Sequence, residues 1–176
     1  IGELAFEGCP LGDDVLFNTS RRMLVWVPRG ITGSYAIPGT VTTVAASAFQ
    51  GCTGLTNITI PDSVISIGDN AFSGCTGLVS VTIPNSVTNI GNAAFYGCSH
   101  LTKITLPNSI TAIEDGTFAD CSALARLRLP NSITTIGSEA FSGCSGLLSA
   151  PIPNGVTTIG DAAFYGCSRL SNVVIP

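Results

Sequence analysis

Apolar and polar positions recur along the chain with a period of 23 residues. In the period that begins at Leu55, apolar and polar residues alternate, which predicts a strand with one buried face. Pro61 ends this strand because proline has no amide hydrogen to donate. A second extended piece, residues 64–67, follows, and a short helical turn begins at Gly68 and carries Phe72. Each period therefore predicts a strand, a second extended piece and a helical turn.

Three columns of identical residues keep this period, and chance does not place three columns in register. The aromatic column is Phe49, Phe72, Phe95, Phe118, Phe141 and Phe164. The thiol column is Cys52, Cys75, Cys98, Cys121, Cys144 and Cys167. The imino column is Pro38, Pro61, Pro84, Pro107, Pro130, Pro153 and Pro176. One unit cannot bury its own apolar face, so the units must stack into a solenoid with parallel strands about 4.8 Å apart.

The pattern LxxIxIP, carried here by Leu55, Ile58, Ile60 and Pro61 and followed by SVxxIGxxAFxGC, resembles the BspA-like leucine-rich repeats. The resemblance extends over residues 40–176. It implies an α/β fold, a right-handed leucine-rich-repeat solenoid with a parallel sheet on its concave side and short helical turns on its convex side. It also implies a cell-surface or secreted protein of bacteria or some protists, concerned with adhesion. The repeat itself fixes no ligand.

The N-terminal part departs from the regular period. Cys9 and Pro38 are 29 residues apart, whereas the equivalent Cys52 and Pro61 are 9 apart, so residues 10–33 contain a 20-residue insertion. Two short apolar stretches around a polar run within it predict a β-hairpin, which we expect to join the concave sheet. We therefore predict one domain over residues 1–176, with regular repeats over 40–176.

Both ends of the sequence lie inside a repeat, at Ile1-Gly2 and at Pro176. Solenoids need polar caps, and neither end resembles one. We expect the chain to be a segment of a longer protein. The alternative is that open ends stack head to tail, because such heterologous contacts generate filaments.

The composition and net charge of the chain exclude some classes of function. Charged residues are 10% of the chain, and 11 acidic residues outnumber 7 Lys and Arg residues, for a net charge of −4. This balance argues against nucleic-acid binding. No stretch approaches the roughly 20 apolar residues of a transmembrane helix, so we expect no membrane insertion in this segment.

The cysteines form a column rather than a metal motif. Stacked cysteines would lie about 5 Å apart, within disulfide range, but their side chains point in parallel into the core. No CxxC spacing occurs, and His100, the one histidine, cannot complete a zinc site. We predict buried free thiols, no metal and no cofactor.

The outward strand positions carry the candidate site. Lys103, Arg126 and Arg128, called the cationic patch below, fall on two adjacent units. Stacked like charges destabilise a sheet, and arginine presents a fork that matches carboxylate, sulfate or phosphate, so these residues are the candidate anion site. Three solvated side chains on a polar sheet are the other interpretation, and the sequence alone does not exclude it. The other predicted ligand-binding residues are Ser80, Thr105 and Ser149, with His100, Arg169 and Trp26 as flanking residues.

The aromatic residues near the insertion, Phe17, Trp26 and Tyr35, have two interpretations. They form either a local apolar core under the hairpin or an exposed platform for a sugar or peptide. The sequence alone leaves both open.

No catalytic motif occurs: the chain has no HExxH, P-loop, GxGxxG or Ser–His–Asp set. We expect no enzyme, but a non-catalytic module of an extracellular or cell-surface protein. It would bind a host or neighbouring-cell protein or an acidic glycan through the concave sheet. A structural subunit that stacks head to tail into a filament or scaffold is the alternative.

Overall fold

The structure is a computed structural model and describes residues 15–173. Cys9, the start of the insertion and the terminal Pro176 lie outside the described residues. The described chain coils into successive turns of 23 residues, called rungs below. Its strands are β1 (Leu16–Phe17), β2 (Met23–Trp26), β3 (Gly33–Ala36), β4 (Thr43–Val44), β5 (Leu55–Thr59), β6 (Ser66–Ile67), β7 (Ser80–Thr82), β8 (Asn89–Ile90), β9 (Lys103–Thr105), β10 (Ala112–Ile113), β11 (Thr135–Ile136) and β12 (Thr158–Ile159).

Equivalent strands of neighbouring rungs lie side by side. The first sheet has the order β3-β5-β7-β9 and consists of parallel strands. The second sheet has two parts, ordered β1-β2-β4-β6-β8 and β10-β11-β12. Partners such as Ile67 and Ile90 differ by one period, so the sequence repeat and the strand register coincide. The predicted stacking of repeats into a solenoid is confirmed.

The aromatic column forms the centre of the core. Phe49, Phe72, Phe95, Phe118 and Phe141 are fully buried. Neighbouring rings are stacked, with centroids 4.9 to 5.6 Å apart. Inward strand residues such as Ile58 and Val81 pack around this column. The core therefore runs continuously along the solenoid.

The predicted helical turns are wrong, since the structure contains no helix in the described residues. The turn amides alternate between two kinds of partner: Ala71 donates to Gly68 within its turn, and Phe72 donates to Ala94 of the next rung. Asn70 has a left-handed φ of 54°. A helix cannot extend through such a residue, because its amides must form successive intrahelical bonds in right-handed geometry.

The hairpin forms, but the prediction that it joins the concave sheet is wrong. Strands β1 and β2 pair antiparallel, and β2 then pairs parallel with β4 of the second sheet. Leu24 aligns with Val44, and both side chains are fully buried. The hairpin thus occupies the second extended piece of its rung because Leu24 supplies the core residue required there.

The second sheet is interrupted between β8 and β10. At Gly68, an added Cβ would lie 2.5 Å from the backbone nitrogen of Ala46, and at Gly91 it would lie 2.6 Å from that of Asp69. Glu114 occupies this glycine position in the next rung and has a Cβ. We expect the Cβ of Glu114 to contribute to the interruption by keeping its rung further from the preceding one, although Ala45 at the equivalent position still allows β4 to pair with β2.

The first sheet is interrupted after β9, where pairing is reduced to single bridges at Arg126–Ser149 and Ser149–Asn172. The Thr102 hydroxyl donates to the Val79 carbonyl at 3.1 Å, but Ala125 at the equivalent position has no hydroxyl. Like charges at stacked positions, here Lys103 and Arg126, also oppose pairing. Regular strand pairing in the first sheet therefore ends at β9.

Pro151 weakens the same region further, because it has no amide hydrogen to donate. We expect the amides of residues 148–152 to exchange with solvent faster than those of the regular rung at 79–83. Hydrogen exchange read by mass spectrometry or NMR measures both segments in one experiment. Equal protection of the two segments would contradict this expectation.

Candidate functional site

The cationic patch lies on two neighbouring rungs of the first sheet. Leu127 is buried, so Arg126 and Arg128 on either side of it project outward, because alternate residues of an extended segment face opposite sides. Lys103 begins β9 on the preceding rung, and all three cationic side chains are exposed. The structure therefore brings the three cationic residues to one face.

A groove lies beside this patch, between the rung of residues 126–131 and the rung of residues 148–155. Its volume is about 1000 Å³. Its lining includes Arg126 and Arg128 from one rung and Pro151 and Asn154 from the next. Leu127, Leu129 and Ile152 are apolar members of this lining, and each is largely buried. This space, called the inter-rung groove below, opens where strand pairing is limited to one bridge.

Of the other residues predicted to bind a ligand, some lie at the cationic patch or the inter-rung groove and some do not. Ser80 pairs with Lys103, and Thr105 closes β9, so both lie on the face of the patch and both are exposed. Ser149 lines the inter-rung groove. Trp26 lies in β2 of the second sheet and is not brought to the patch.

His100 and Arg169 are exposed and occupy equivalent positions in different rungs. The His100 ring nitrogen Nδ1 lies 2.7 Å from the carbonyl oxygen of Thr76 on the preceding rung. This contact gives His100 a role in rung stacking. Arg169 belongs to the last described rung, beyond the groove.

Sequence reasoning missed several groove residues, namely Asn131, Leu148, Pro151 and Asn154. The available signal was the pair Ala150-Pro151, which replaces the usual inward Ile and its polar neighbour. A small residue and a proline in a central strand predict a local distortion. The step from that distortion to a groove beside Arg126 and Arg128 required the structure.

The aromatic residues near the hairpin favour the local-core interpretation. Tyr35 contacts Phe49 edge to face, with ring centroids 5.6 Å apart. Phe17 packs against the core and lies under Arg21, whose guanidinium carbon is 5.2 Å from the ring centroid. Trp26 is half-buried. An exposed aromatic platform would need the rings of Tyr35 and Phe17 to be free, but these rings already contact Phe49 and Arg21.

The described cysteines, from Cys52 to Cys167, are free thiols as predicted. From Cys75 onward, each thiol donates to the carbonyl of a phenylalanine in the preceding rung, for example Cys98 to Phe72 at 3.2 Å. Burial raises the pKa of Cys98 and Cys144 to about 12. These thiols are protonated at neutral pH, and a thiol is a poor nucleophile and metal ligand. Across residues 15–173, no cluster of three or more potential ligands is arranged to hold a metal ion.

The acidic residues at the turns also join neighbouring rungs. Asp69 Oδ1 accepts the Asn92 amide at 2.8 Å, and Asp115 Oδ1 accepts the Ser138 amide at 2.7 Å. These carboxylates satisfy backbone donors of the following rung, which is a structural role. In the described part of the chain, no helix is both long and apolar enough to span a bilayer.

Comparison with solved structures finds bacterial repeat proteins. The chain is 29% identical to a leucine-rich repeat protein from Eubacterium ventriosum, with a TM-score of 0.71. It is 29% identical to a T. pallidum leucine-rich repeat protein, with a TM-score of 0.58. It is 25% identical to a leucine-rich cell surface protein from Faecalibacterium prausnitzii, with a TM-score of 0.55.

These matches cover most of this chain but less of the other chains. They cover 94%, 93% and 81% of the present chain, and 50%, 68% and 59% of the three structures in the same order. No curated protein sequence matches the chain.

The repeats themselves match a family model. The model describes the BspA type leucine-rich repeat region, and six copies of it match residues 42–171. These six copies cover the regular rungs that form the stacked phenylalanine core and carry the cationic patch. The chain therefore belongs to the BspA-type leucine-rich repeat family.

Proposed function

We propose that the chain is a non-catalytic binding module of a cell-surface or secreted protein that serves adhesion. Its binding surface is the outward face of the first sheet, predicted to be concave. Its centre is the cationic patch with the inter-rung groove. The observation that carries the proposal is the groove of about 1000 Å³ beside two exposed arginines, where the sheet is open.

The chemistry of the groove favours a ligand with acidic groups on an apolar frame. Two guanidinium groups can each bind a carboxylate or sulfate through two parallel hydrogen bonds. Leu127, Leu129 and Ile152 in the lining offer apolar contact. A host or neighbouring-cell protein with acidic side chains, or an acidic glycan, presents both features. The name of one structural relative, a cell surface protein, supports this location.

The test is charge reversal by Arg126→Glu combined with Arg128→Glu. Binding of heparin and of poly-glutamate is measured by calorimetry at two salt concentrations. We expect the double variant to lose at least tenfold in affinity, since removing charge-assisted hydrogen bonds costs about 1.5–3 kcal/mol each. The wild-type affinity should also fall as salt is raised.

A matched control is Arg21→Glu combined with Arg22→Glu. It makes the same change in net charge at the hairpin, which lies in the second sheet. Binding that falls equally in both double variants would show a general charge effect and remove the patch from the proposal. Wild-type protein that binds neither probe would contradict recognition of acidic groups altogether.

A second candidate function is a structural subunit that stacks head to tail. The observation in its favour is that rungs within the chain already bury their apolar side chains on one another in one continuous core. Sedimentation over a range of concentrations tests this candidate. A mass that stays that of a monomer argues against it, and a mass that grows with concentration supports it.

A further inference from the structure

Two places in the regular repeats have the sequence chemistry of spontaneous backbone rearrangement. These are Asn154-Gly155, which is the one Asn-Gly pair in the chain, and Asp115-Gly116. In both pairs, the glycine amide nitrogen can attack the preceding side-chain carbonyl, because no side chain on glycine hinders the approach. From the sequence, the two pairs are equivalent candidates.

In the structure, the two pairs differ in how their reacting groups are held. At the Asp115-Gly116 pair, Asp115 Oδ1 accepts the Ser138 backbone amide at 2.7 Å, and the Gly116 amide donates to the Ser138 carbonyl at 2.9 Å. Both reacting groups are therefore held by the next rung, and Gly116 has a left-handed φ of 60°. Attack would require breaking both hydrogen bonds.

Asn154 and Gly155 are free of such constraints. Both are exposed and form the centre of a turn closed by the Val156 amide, which donates to the Pro153 carbonyl at 3.1 Å. Within residues 15–173, neither the Asn154 side chain nor the Gly155 amide is hydrogen-bonded to another protein group. The equivalent turns of the four preceding rungs have Ser in place of Gly155, for example Asn131-Ser132.

We propose that Asn154 is a self-modification site that deamidates spontaneously in the folded protein. The Gly155 amide nitrogen loses its proton and forms a bond to the Asn154 side-chain carbonyl carbon, and the side-chain nitrogen leaves as ammonia. Water then opens the resulting succinimide at either carbonyl to give aspartate or isoaspartate. No enzyme and no redox partner are needed, since water is the one co-reactant.

The position of Asn154 gives this reaction a consequence. Asn154 lines the inter-rung groove together with Arg126 and Arg128. Deamidation converts a neutral side chain at the groove into a negative one, which repels acidic ligands and pairs with the arginines. Deamidation would thus weaken ligand binding as the protein ages. This consequence rests on the proposed function, whereas the reaction itself does not.

The reaction is tested by incubating the folded wild-type protein at mildly alkaline pH and mapping its peptides by mass spectrometry. An isoaspartate-specific methyltransferase identifies the rearranged product. We expect Asn154 to convert several-fold faster than Asn131, and Asp115 to show no isoaspartate over the same period. Conversion of Asn154 and Asn131 at equal rates would overturn the proposal.

The matched control is Gly155→Ser, which restores the residue of the other turns. A Cβ at this position would lie 3.4 Å from the Ile133 carbonyl oxygen, an ordinary contact, and Ser63 in the equivalent position donates to the Val41 carbonyl. The variant should therefore fold. We expect it to slow conversion of Asn154 to the rate of Asn131. An unchanged rate would show that the glycine is not the cause.

The consequence for binding has a separate test with Asn154→Asp and Asn154→Gln. We expect the aspartate variant to bind poly-glutamate several-fold more weakly than wild type, and the glutamine variant to bind as wild type does. If wild type binds no acidic probe, the proposed function fails while the mass-spectrometric result stands. If wild type binds and both variants bind equally, the charge consequence is wrong.

Discussion

Replacing Phe118 with alanine is expected to lower the free energy of unfolding by about 3–5 kcal/mol. The Phe118 side chain is fully buried, and its ring stacks on Phe95 at 5.6 Å and on Phe141 at 5.5 Å. The substitution removes the apolar ring and leaves a cavity in the middle of a continuous column. Stability in a solenoid depends on contacts between neighbouring rungs, so the loss weakens two interfaces at once. Urea unfolding followed by circular dichroism measures the change.

The matched control is Tyr165→Ala, since Tyr165 is also an aromatic residue of a turn but is 74% exposed. An exposed substitution of this kind should change the free energy of unfolding by no more than about 0.5 kcal/mol. If Phe118→Ala were no more destabilising than Tyr165→Ala, the stacked column would not be the main source of cohesion.

The second large loss of stability is expected from Gly68→Ala, which adds a single methyl group. The new Cβ would lie 2.5 Å from the Ala46 nitrogen and 2.9 Å from the carbonyl carbon of Ala45. Both atoms belong to the backbone, so no side-chain rotation relieves the contact, and the two rungs must separate. We expect a loss of about 1–3 kcal/mol, the usual range for forcing extra volume into a packed core. The same unfolding assay measures it.

Gly39→Ala is the control for the change from glycine to alanine itself. An added Cβ at Gly39 meets no atom within 4 Å, and its φ is not left-handed. We expect this variant to be as stable as wild type or more stable by about 0.4–1 kcal/mol, since alanine reduces the entropy of the unfolded chain. Equal effects of the two substitutions would remove close rung contact as the explanation.

The opposite substitution, Glu114→Gly, removes a Cβ at the position that is equivalent to Gly68 in a later rung. Glycine at this position should let β10 approach β8 and extend the second sheet across the interruption. The readout is slower hydrogen exchange of the amides at residues 111–114. Unchanged exchange there would mean that Glu114 does not cause the interruption.

Much of the fold could be predicted from the repeat. The columns of Phe72, Cys75 and Pro61 recur at one spacing, and equivalent residues in stacked units must lie above one another. Burial of the aromatic and thiol columns follows because each unit must cover the next. The conformation of the turn that carries each phenylalanine could not be predicted in this way. Its amides find partners both within the turn and in the next rung, which a pattern of apolar positions does not reveal.

The hairpin shows a similar limit. Its two strands follow from local sequence, because alternating apolar stretches around a polar run favour antiparallel pairing. The choice of sheet depends on which rung position Leu24 fills, and this is decided by long-range packing against Val44. The cationic patch could be predicted from the register, whereas the inter-rung groove could not. It lies at the rung where Ala150 and Pro151 replace the usual large inward residue and its polar neighbour.

The sequence by itself determined that the chain is a stack of equivalent rungs with a phenylalanine core and that Lys103, Arg126 and Arg128 share one face. The periodicity is enough to predict these features, because they depend only on which residue type recurs at each position of the repeat. Only the tertiary structure decided where the sheets open, which sheet receives the hairpin, and which of two susceptible glycine pairs is left unrestrained. Those features depend on contacts between particular backbone atoms of neighbouring rungs, which the pattern of repeated residue types does not reveal.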